Sequence, residues 1–156
     1  MKYKNTLIAV ADMEASKRFY HDVMGLKVIA DFGANVTLDG GIVLQTMDTW
    51  RSFLKTDEIT LPNNAAELYF EETDMDAFCR YLQGFKIHYL HGLFEHRWGQ
   101  RVVRFYDPDH HIIEVGESLS AVAARFKEQG LSPEEIAVRM DIPLDFVISC
   151  LREAQE

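Results

Sequence analysis

The chain has 156 residues, of which 47% are hydrophobic and 26% charged, and its formal net charge is -9. These values are typical of a soluble globular protein with one core or two small packed units. The acidic balance argues against nucleic acid as a partner, since affinity there rests on Lys and Arg neutralising phosphates. No apolar run approaches the roughly 20 residues of a membrane-spanning helix, and the first is too short for a signal peptide. The sequence therefore predicts a cytoplasmic protein.

Strand and helix patterns alternate in the first part of the chain. Residues 6–11, TLIAVA, are rich in β-forming side chains, and residues 12–24 carry apolar side chains at helical spacing after Asp12, a candidate N-cap. Gly25 is placed to end that helix. Three short strands follow, and the last two are joined by an Asp-Gly-Gly hairpin signal at 39–41. The order predicted for this part is β-α-β-β-β.

The same order returns in the second part. Residues 66–72 read as a strand and 73–82 as a helix that Gly84 closes. FKIHYL, RVVRFY and HIIEV then read as three strands. The last two strands are joined by DPDH, which suits a type I turn because Pro takes the second position and Asp the first. The chain is therefore predicted to repeat one βαβββ unit.

Polar residues also repeat between the two parts. One position in each part lies seven residues before the first aspartate of the helix, and another lies five residues after a hairpin residue. The pairs defined in this way are Asn5 with Glu67, and Gln45 with Glu114. A unit this small cannot cover both faces of its sheet, so the two units are expected to join around a shared concave surface.

Two stretches resemble the vicinal oxygen chelate superfamily, which includes glyoxalase I, bleomycin-resistance proteins and extradiol dioxygenases. NTLIAVADMEASKRFYHDVMGLKVI is similar to its opening, and FYDPDHHIIEV is similar to its DPdGn-iEl ending. The resemblance implies an α+β fold in which two βαβββ repeats form a glyoxalase-like barrel over residues 1–117. Its halves would span about 1–48 and 65–117, with a linker at 49–64. A homodimer is expected, as is common in the superfamily.

The resemblance also implies where a metal ion would bind. In metal-using members the first and last strands of each half supply one ligand apiece, and by position these are Asn5, Gln45, Glu67 and Glu114. The ion would be Mn²⁺, Mg²⁺, Ni²⁺ or Zn²⁺, and it would polarise a carbonyl or stabilise an enediolate. Glu114 or Glu67 would then act catalytically by moving the proton. An iron dioxygenase is not expected, because its two histidines are missing from these positions.

Two functions remain open at this point. One is a glyoxalase-like lyase or isomerase with a divalent ion, which the set of Gln45, Glu67 and Glu114 favours. The other is a metal-free protein that binds a small molecule, as bleomycin-resistance proteins do. Asn5 favours binding, because its side chain is shorter than the Gln or Glu often found at that position of the superfamily.

Four further residues are candidates for the substrate pocket. His110 stands where the superfamily usually has a turn glycine, and on a strand over 110–115 it would share a face with Glu114. His91 and Trp98 belong to a predicted loop at 91–101 that often borders the pocket in the superfamily. Trp50 lies in the long connector 46–65, a candidate lid. The alternatives are a solvated turn residue for His110, a surface loop with an aromatic anchor for His91 and Trp98, and core packing for Trp50.

Residues 118–156 exceed the two repeats and form a predicted helical extension. Ser132, Pro133 and Glu135 make a capping-box signal. The last two helices resemble a helix-turn-helix, but from Glu117 onward eight acidic residues stand against four basic ones, so DNA is not the expected target. Its apolar stripe needs cover from the barrel or from a partner subunit, and consists of Ile136, Met140, Phe146 and Ile148.

Overall fold

The computed structural model of the protein describes residues 1–155. Its strands are β1 (Thr6–Val10), β2 (Val28–Asp31), β3 (Asn35–Leu38), β4 (Ile42–Thr46), β5 (Glu67–Glu72), β6 (His88–Glu95), β7 (Arg101–Tyr106) and β8 (Ile112–Glu117). Its helices are α1 (Met13–Asp22), α2 (Met47–Leu54), α3 (Met75–Leu82), α4 (Leu119–Glu128), α5 (Pro133–Met140) and α6 (Leu144–Glu153). None of these helices has the length and apolar character needed to cross a bilayer, as far as residues 1–155 are concerned.

The predicted α+β fold with two βαβββ repeats is confirmed. The strands pair in the orders β1-β4-β3-β2 and β5-β8-β7-β6, so each repeat forms its own four-stranded sheet with the same order. In the first sheet β1 runs parallel to β4, and the other neighbours are antiparallel. Each sheet keeps two edge strands, so hydrogen bonding between strands does not close the predicted barrel.

The helix starts of the two repeats follow from local chemistry. Asp12 accepts a hydrogen bond from the Ala15 amide at 2.9 Å, and Asp74 accepts one from the Ala77 amide at 2.8 Å. Each carboxylate satisfies an amide that the first turn of its helix leaves without a partner. Gly25 follows α1 with a φ of 70°, the left-handed backbone that favours glycine after a helix.

The chain forms two compact units. The first consists of Met1–Glu67 with Tyr106–Ile112, and the second consists of Leu68–Phe105 with the chain from Ile113 onward. The helical extension therefore belongs to the same compact unit as most of the second sheet. The domain boundary predicted at residue 117 stays a proposal.

The three helices of the extension pack around a core of their own. Its buried residues are Val122, Ala123, Phe126, Ile136, Met140, Val147, Cys150 and Leu151. The capping box at Ser132 and Glu135 is present. Of the predicted apolar stripe, Ile136 and Met140 are buried in this core, whereas Phe146 and Ile148 are 47% and 45% exposed. At 3.6 residues per turn, the inward face of α6 instead carries Val147, Cys150 and Leu151.

The extension is held against the turn between β6 and β7. The ring of Phe126 lies over Gly99, and Arg125 donates a hydrogen bond to the Gly99 carbonyl at 2.6 Å. Arg139 bonds the Arg97 carbonyl and lies 3.3 Å from a carboxylate oxygen of Glu95. Residues of the same chain thus cover part of the extension.

Candidate functional site

Glu114 is buried on β8 and forms an ion pair with Arg104 on the neighbouring strand β7. The glutamate is 5% exposed, and the guanidinium Nη2 meets its carboxylate directly. A buried carboxylate needs such a partner, because desolvation alone would make its charged form costly. A fixed cation within the second unit therefore balances the charge of Glu114.

His91 adds a third member from the next strand, β6. Its Nε2 lies 3.3 Å from Nη1 of Arg104, and its Nδ1 lies 2.8 Å from the carbonyl oxygen of Gly92. A guanidinium can only donate, so Nε2 accepts from it, and Nδ1 donates its proton to Gly92. These partners assign His91 as a neutral imidazole with its proton on Nδ1. Glu114, Arg104 and His91 thus form a polar row across three adjacent strands.

Aromatic rings continue from His91. The ring centroids of His91 and Phe94 are 6.2 Å apart, and those of Phe94 and His96 are 5.2 Å apart. His96 stacks on Trp98 with 4.2 Å between centroids and 11° between planes. Burial lowers the pKa of His96, and the charge of Arg104 lowers it further. His96 therefore favours a neutral imidazole beside an aromatic wall.

In the first unit, Gln45 is buried on β4 and engaged at both ends of its amide. Its Oε1 accepts a hydrogen bond from Asn35 Nδ2 at 2.7 Å. Its Nε2 donates to the Ala34 carbonyl at 2.9 Å and contacts the Thr49 hydroxyl. This network holds the side chain of Gln45 in one orientation.

Asn5 and Glu67 lie at the starts of strands. Gln45 is the register partner of Ala9 on β1, four residues after Asn5 in the sequence. Asn5 directly precedes β1, so it does not stand opposite Gln45 in the register of the sheet. Glu67 is the first residue of β5 and is exposed.

Two of the predicted ligands contact other side chains of their own unit. The carboxylate of Glu114 faces the guanidinium of Arg104, and the Oε1 of Gln45 accepts from Asn35. Within residues 1–155, no three His, Cys, Asp or Glu side chains group closely enough to hold a metal. Metal binding through Asn5, Gln45, Glu67 and Glu114 therefore stays a prediction drawn from the resemblance.

His110 ends the turn before β8 rather than lying on the strand. Its amide donates to the Asp107 carbonyl at 3.1 Å, which closes the predicted four-residue turn. Its φ of 66° is left-handed, and β8 begins only at Ile112. The left-handed residue ends the turn, so His110 does not continue the strand face of Glu114 as expected. Its side chain is exposed, with the ring 5.6 Å from that of Tyr106.

The aspartates of this turn have structural partners in the first unit. Asp107 is buried and accepts from the Tyr20 hydroxyl at 2.8 Å. Asp109 accepts from the Ala11 amide at 2.8 Å, and a ring nitrogen of His111 lies 2.8 Å from the Ala9 carbonyl oxygen. These contacts anchor the turn and account for most of its polar residues.

Two of the remaining candidates, His91 and Trp50, lie on a strand and a helix where loops were predicted. β6 continues to Glu95, so the predicted loop 91–101 shortens to residues 96–100, and His91 is a strand residue. Trp98 stays in the loop, stacked on His96. Trp50 lies half-buried on α2, so the connector is partly helical.

Sequence reasoning missed Arg104, which holds the central position of the polar row. A signal for it was present in RVVRFY, because an arginine inside an apolar strand is seldom found without a partner. The identity of that partner depends on the pairing of β7 with β8, which comes from the tertiary structure.

Residues 3–120 match the model of the family described as glyoxalase-like domain. A protein of unknown function from Agrobacterium tumefaciens str. C58, whose crystal structure is known, is 38% identical over 76% of this chain and 95% of its own, with a TM-score of 0.68. No curated protein matches the chain.

More distant solved structures share the fold. Lactoylglutathione lyase from Agrobacterium tumefaciens is 20% identical over 75% of this chain and 93% of its own, with a TM-score of 0.56. A glyoxalase/bleomycin resistance protein/dioxygenase from Nocardioides is 16% identical over 75% of this chain and 83% of its own, with a TM-score of 0.63. At such identity these two structures support the fold alone. The family match, which covers most of its length, establishes that the chain belongs to the glyoxalase-like domain family.

Proposed function

We propose that this glyoxalase-like domain binds a small molecule without a metal ion, at the polar row of Glu114, Arg104 and His91. The ion pair between Arg104 and Glu114 is the observation that carries the proposal. The positive guanidinium stands beside the carboxylate that would otherwise attract a divalent cation. Like charges at such short range repel strongly in a partly buried site. Arg104 therefore takes the electrostatic role that a metal would have at Glu114.

The surroundings of the row suit an organic ligand. The side chain of Arg104 remains 23% exposed, and a guanidinium favours carbonyl or carboxylate oxygens as partners. The neutral imidazole of His91 and the rings of Phe94 and His96 that continue from it add a weakly polar aromatic wall. Pockets for small molecules commonly combine such apolar walls with a few oriented polar groups.

A metal-dependent lyase or isomerase is the second candidate. The observation that favours it is the equivalence of Gln45 and Glu114, which are both buried on the second strand of their sheets. In that case a divalent ion would polarise a carbonyl, and Glu114 or Glu67 would move a proton. Arg104 would first have to leave Glu114.

Metal content distinguishes the two candidates. Wild type, Arg104→Met and Glu114→Gln would be incubated with Ni²⁺, Mn²⁺, Mg²⁺ or Zn²⁺, dialysed and measured by elemental mass spectrometry. We expect far less than one ion per wild-type chain, because Arg104 excludes the cation. Near one ion per wild-type chain, lost in Glu114→Gln but kept in the exposed control Glu58→Gln, would refute the metal-free proposal.

Turnover gives an independent comparison. The hemithioacetal of methylglyoxal and glutathione is the substrate to test for the second candidate, with thioester formation followed by absorbance. We expect no enzymatic rate with or without added metal. A metal-dependent rate that Glu114→Gln abolishes would establish the lyase instead.

A further inference from the structure

A cavity of about 640 Å³ lies within the second unit, between the second sheet and the helical extension. Its lining includes Tyr69, Glu71, Trp98, Gln100, Val138 and Ile142. This volume is in the range of about 300–1,000 Å³ that small-molecule pockets occupy. Neither Glu114 nor Arg104 lines the cavity, so it is a site separate from the polar row.

A chain of hydrogen bonds builds one wall of this cavity. Trp98 Nε1 donates to Gln100 Oε1 at 3.2 Å, and Gln100 Nε2 donates to the Tyr69 hydroxyl at 3.1 Å. The same Nε2 donates to the Glu117 carbonyl at 2.9 Å, which fixes the buried amide of Gln100. Tyr69 in turn donates its hydroxyl proton to Glu71 Oε1 at 3.1 Å. The wall is therefore preorganised, and its last member is a carboxylate.

Gly116 allows Tyr69 to lie where it does. A Cβ atom on Gly116 would stand 3.0 Å from Cε2 of Tyr69 and 3.1 Å from its hydroxyl oxygen. Such distances are shorter than ordinary van der Waals contacts, so a side chain at position 116 would push the ring away. The glycine in β8 thus makes room for one aromatic face of the cavity.

The opposite wall comes from α5 and the turn after it. Arg139 holds this wall in place through its bond to the Arg97 carbonyl, and its guanidinium lies 5.3 Å from the ring centroid of Phe126. Val138 is 83% exposed in this wall. A ligand that covered its apolar side chain would gain free energy from removing that surface from water. The residues of α5 and of the turn after it lie beyond the family match, which ends at residue 120. The extension therefore adds this cavity to the glyoxalase-like domain.

We propose that this cavity binds an apolar small molecule that carries a protonated amine. The carboxylate of Glu71 supplies an ion-pair partner, and the faces of Tyr69 and Trp98 attract cations through their π systems. Val138 and Ile142 cover the apolar body of the ligand.

The charges around the cavity are compatible with a cationic ligand. The positive charge of Arg139 is opposed by Glu95, 3.3 Å away. Arg97 also lines the cavity, and its charge is matched by that of Asp141, a second lining carboxylate. The net charge of -9 further draws cations toward the protein.

Two probes of similar shape and opposite charge test the proposal. Phenethylamine is a cation at neutral pH and 3-phenylpropionate is an anion. Affinities would be measured by isothermal titration calorimetry on the full chain. Fluorescence in a Trp50→Phe background would locate binding, because Trp98 is then the only tryptophan. We expect phenethylamine to bind saturably and to change the Trp98 emission, and 3-phenylpropionate to bind much more weakly.

Variants then test the proposed contacts. Glu71→Gln should weaken phenethylamine binding about tenfold or more, because it removes the ion-pair partner while keeping the side-chain shape. Val138→Lys should weaken it by adding a positive charge at an exposed position, and Glu58→Gln, an exposed carboxylate of the first unit, should leave it unchanged. The proposal is wrong if neither probe binds, if 3-phenylpropionate binds as tightly, or if Glu71→Gln has no effect. The metal measurement does not bear on these outcomes.

Discussion

Arg104 and Glu114 form an ion pair across the adjacent strands β7 and β8, with the glutamate almost fully buried. In a glyoxalase-like domain this carboxylate is a candidate metal ligand, and here an arginine of the same unit neutralises it. The pair links the stability of the second sheet to the chemistry of the proposed site.

Removing the arginine alone should destabilise the protein. Arg104→Met leaves the buried charge of Glu114 without its ion-pair partner, and we expect a loss of about 2 kcal/mol in unfolding free energy. The partial exposure of Arg104 keeps this below the largest values known for buried pairs. Urea denaturation measures the loss of unfolding free energy. Arg152→Met, at an exposed position, is the control and should change stability by less than about 0.5 kcal/mol.

A double variant separates the pair from its parts. Arg104→Met with Glu114→Leu removes both charges, so it should recover much of the stability lost in Arg104→Met. The single variant Glu114→Leu completes the comparison. If the losses in unfolding free energy of Arg104→Met and Glu114→Leu simply add in the double variant, the ion pair does not stabilise the sheet as proposed here.

Glu117 should make stability depend on acid pH. Burial raises the pKa of this carboxyl group, but hydrogen bonds from Arg125 and Arg101 outweigh burial and place the pKa below its usual value. The folded protein therefore keeps Glu117 ionised at a pH where the unfolded chain is protonated. Its contribution is full above about pH 4.3, the unfolded value, and is lost as pH falls through the lower folded pKa.

The matching measurement is urea unfolding at about pH 7 and about pH 3.5. Glu117→Gln should be less stable than wild type at neutral pH, and the difference should shrink in acid. Glu134→Gln, an exposed residue of α5, serves as the control. A difference that stays constant with pH would show that ionisation of Glu117 does not stabilise the fold.

Gly99 should not tolerate a side chain. A Cβ atom there would lie 2.2 Å from Cζ of Phe126, and the residue has a φ of 92°. Gly130 has nearly the same φ, 93°, but a Cβ atom there would meet nothing within 4 Å. We expect Gly130→Ala to cost about 1–2 kcal/mol from backbone strain alone and Gly99→Ala to cost clearly more. Equal losses in thermal or urea unfolding would show that Phe126 moves aside freely.

The proposed homodimer can be tested at the edge of the first sheet. Ile29 on the edge strand β2 is 66% exposed, and Phe32 just beyond it is 77% exposed. Exposed apolar groups of this kind often mark a contact with another protein. Analytical ultracentrifugation should show a dimer that Ile29→Lys with Phe32→Lys dissociates, while Phe146→Lys on α6 leaves it intact. A wild-type monomer at all concentrations would refute the proposal.

Local chemistry made much of the fold predictable. Asp12 and Asp74 cap their helices, the Ser132 capping box forms, and the turn at 107–110 closes as its residues predict. Each of these features depends on residues a few positions apart, so the sequence contains both partners. The repeat of strand and helix signals likewise predicted two βαβββ units, and each of them forms a four-stranded sheet.

The candidate site was less predictable. The residues that contact its side chains are distant in sequence, or they depend on how neighbouring strands are aligned. Glu114 was identified, but its pairing with Arg104 required the alignment of β7 with β8. Gln45 was identified as well, but its bonds to Asn35 and Thr49 follow from how β4 meets β3 and α2. The cavity beside Tyr69 also needed the docking of α5, which no local pattern indicates.

The sequence by itself determined the repeat of βαβββ units, the starts of its capped helices and the family resemblance, since these depend on side-chain period, capping and turn chemistry. Only the tertiary structure decided which charges meet. A side chain that could bind a metal, pair with an arginine or face solvent has the same local sequence in each case. Its role depends on neighbours brought by strand pairing and helix packing, and here those neighbours gave Glu114 an arginine.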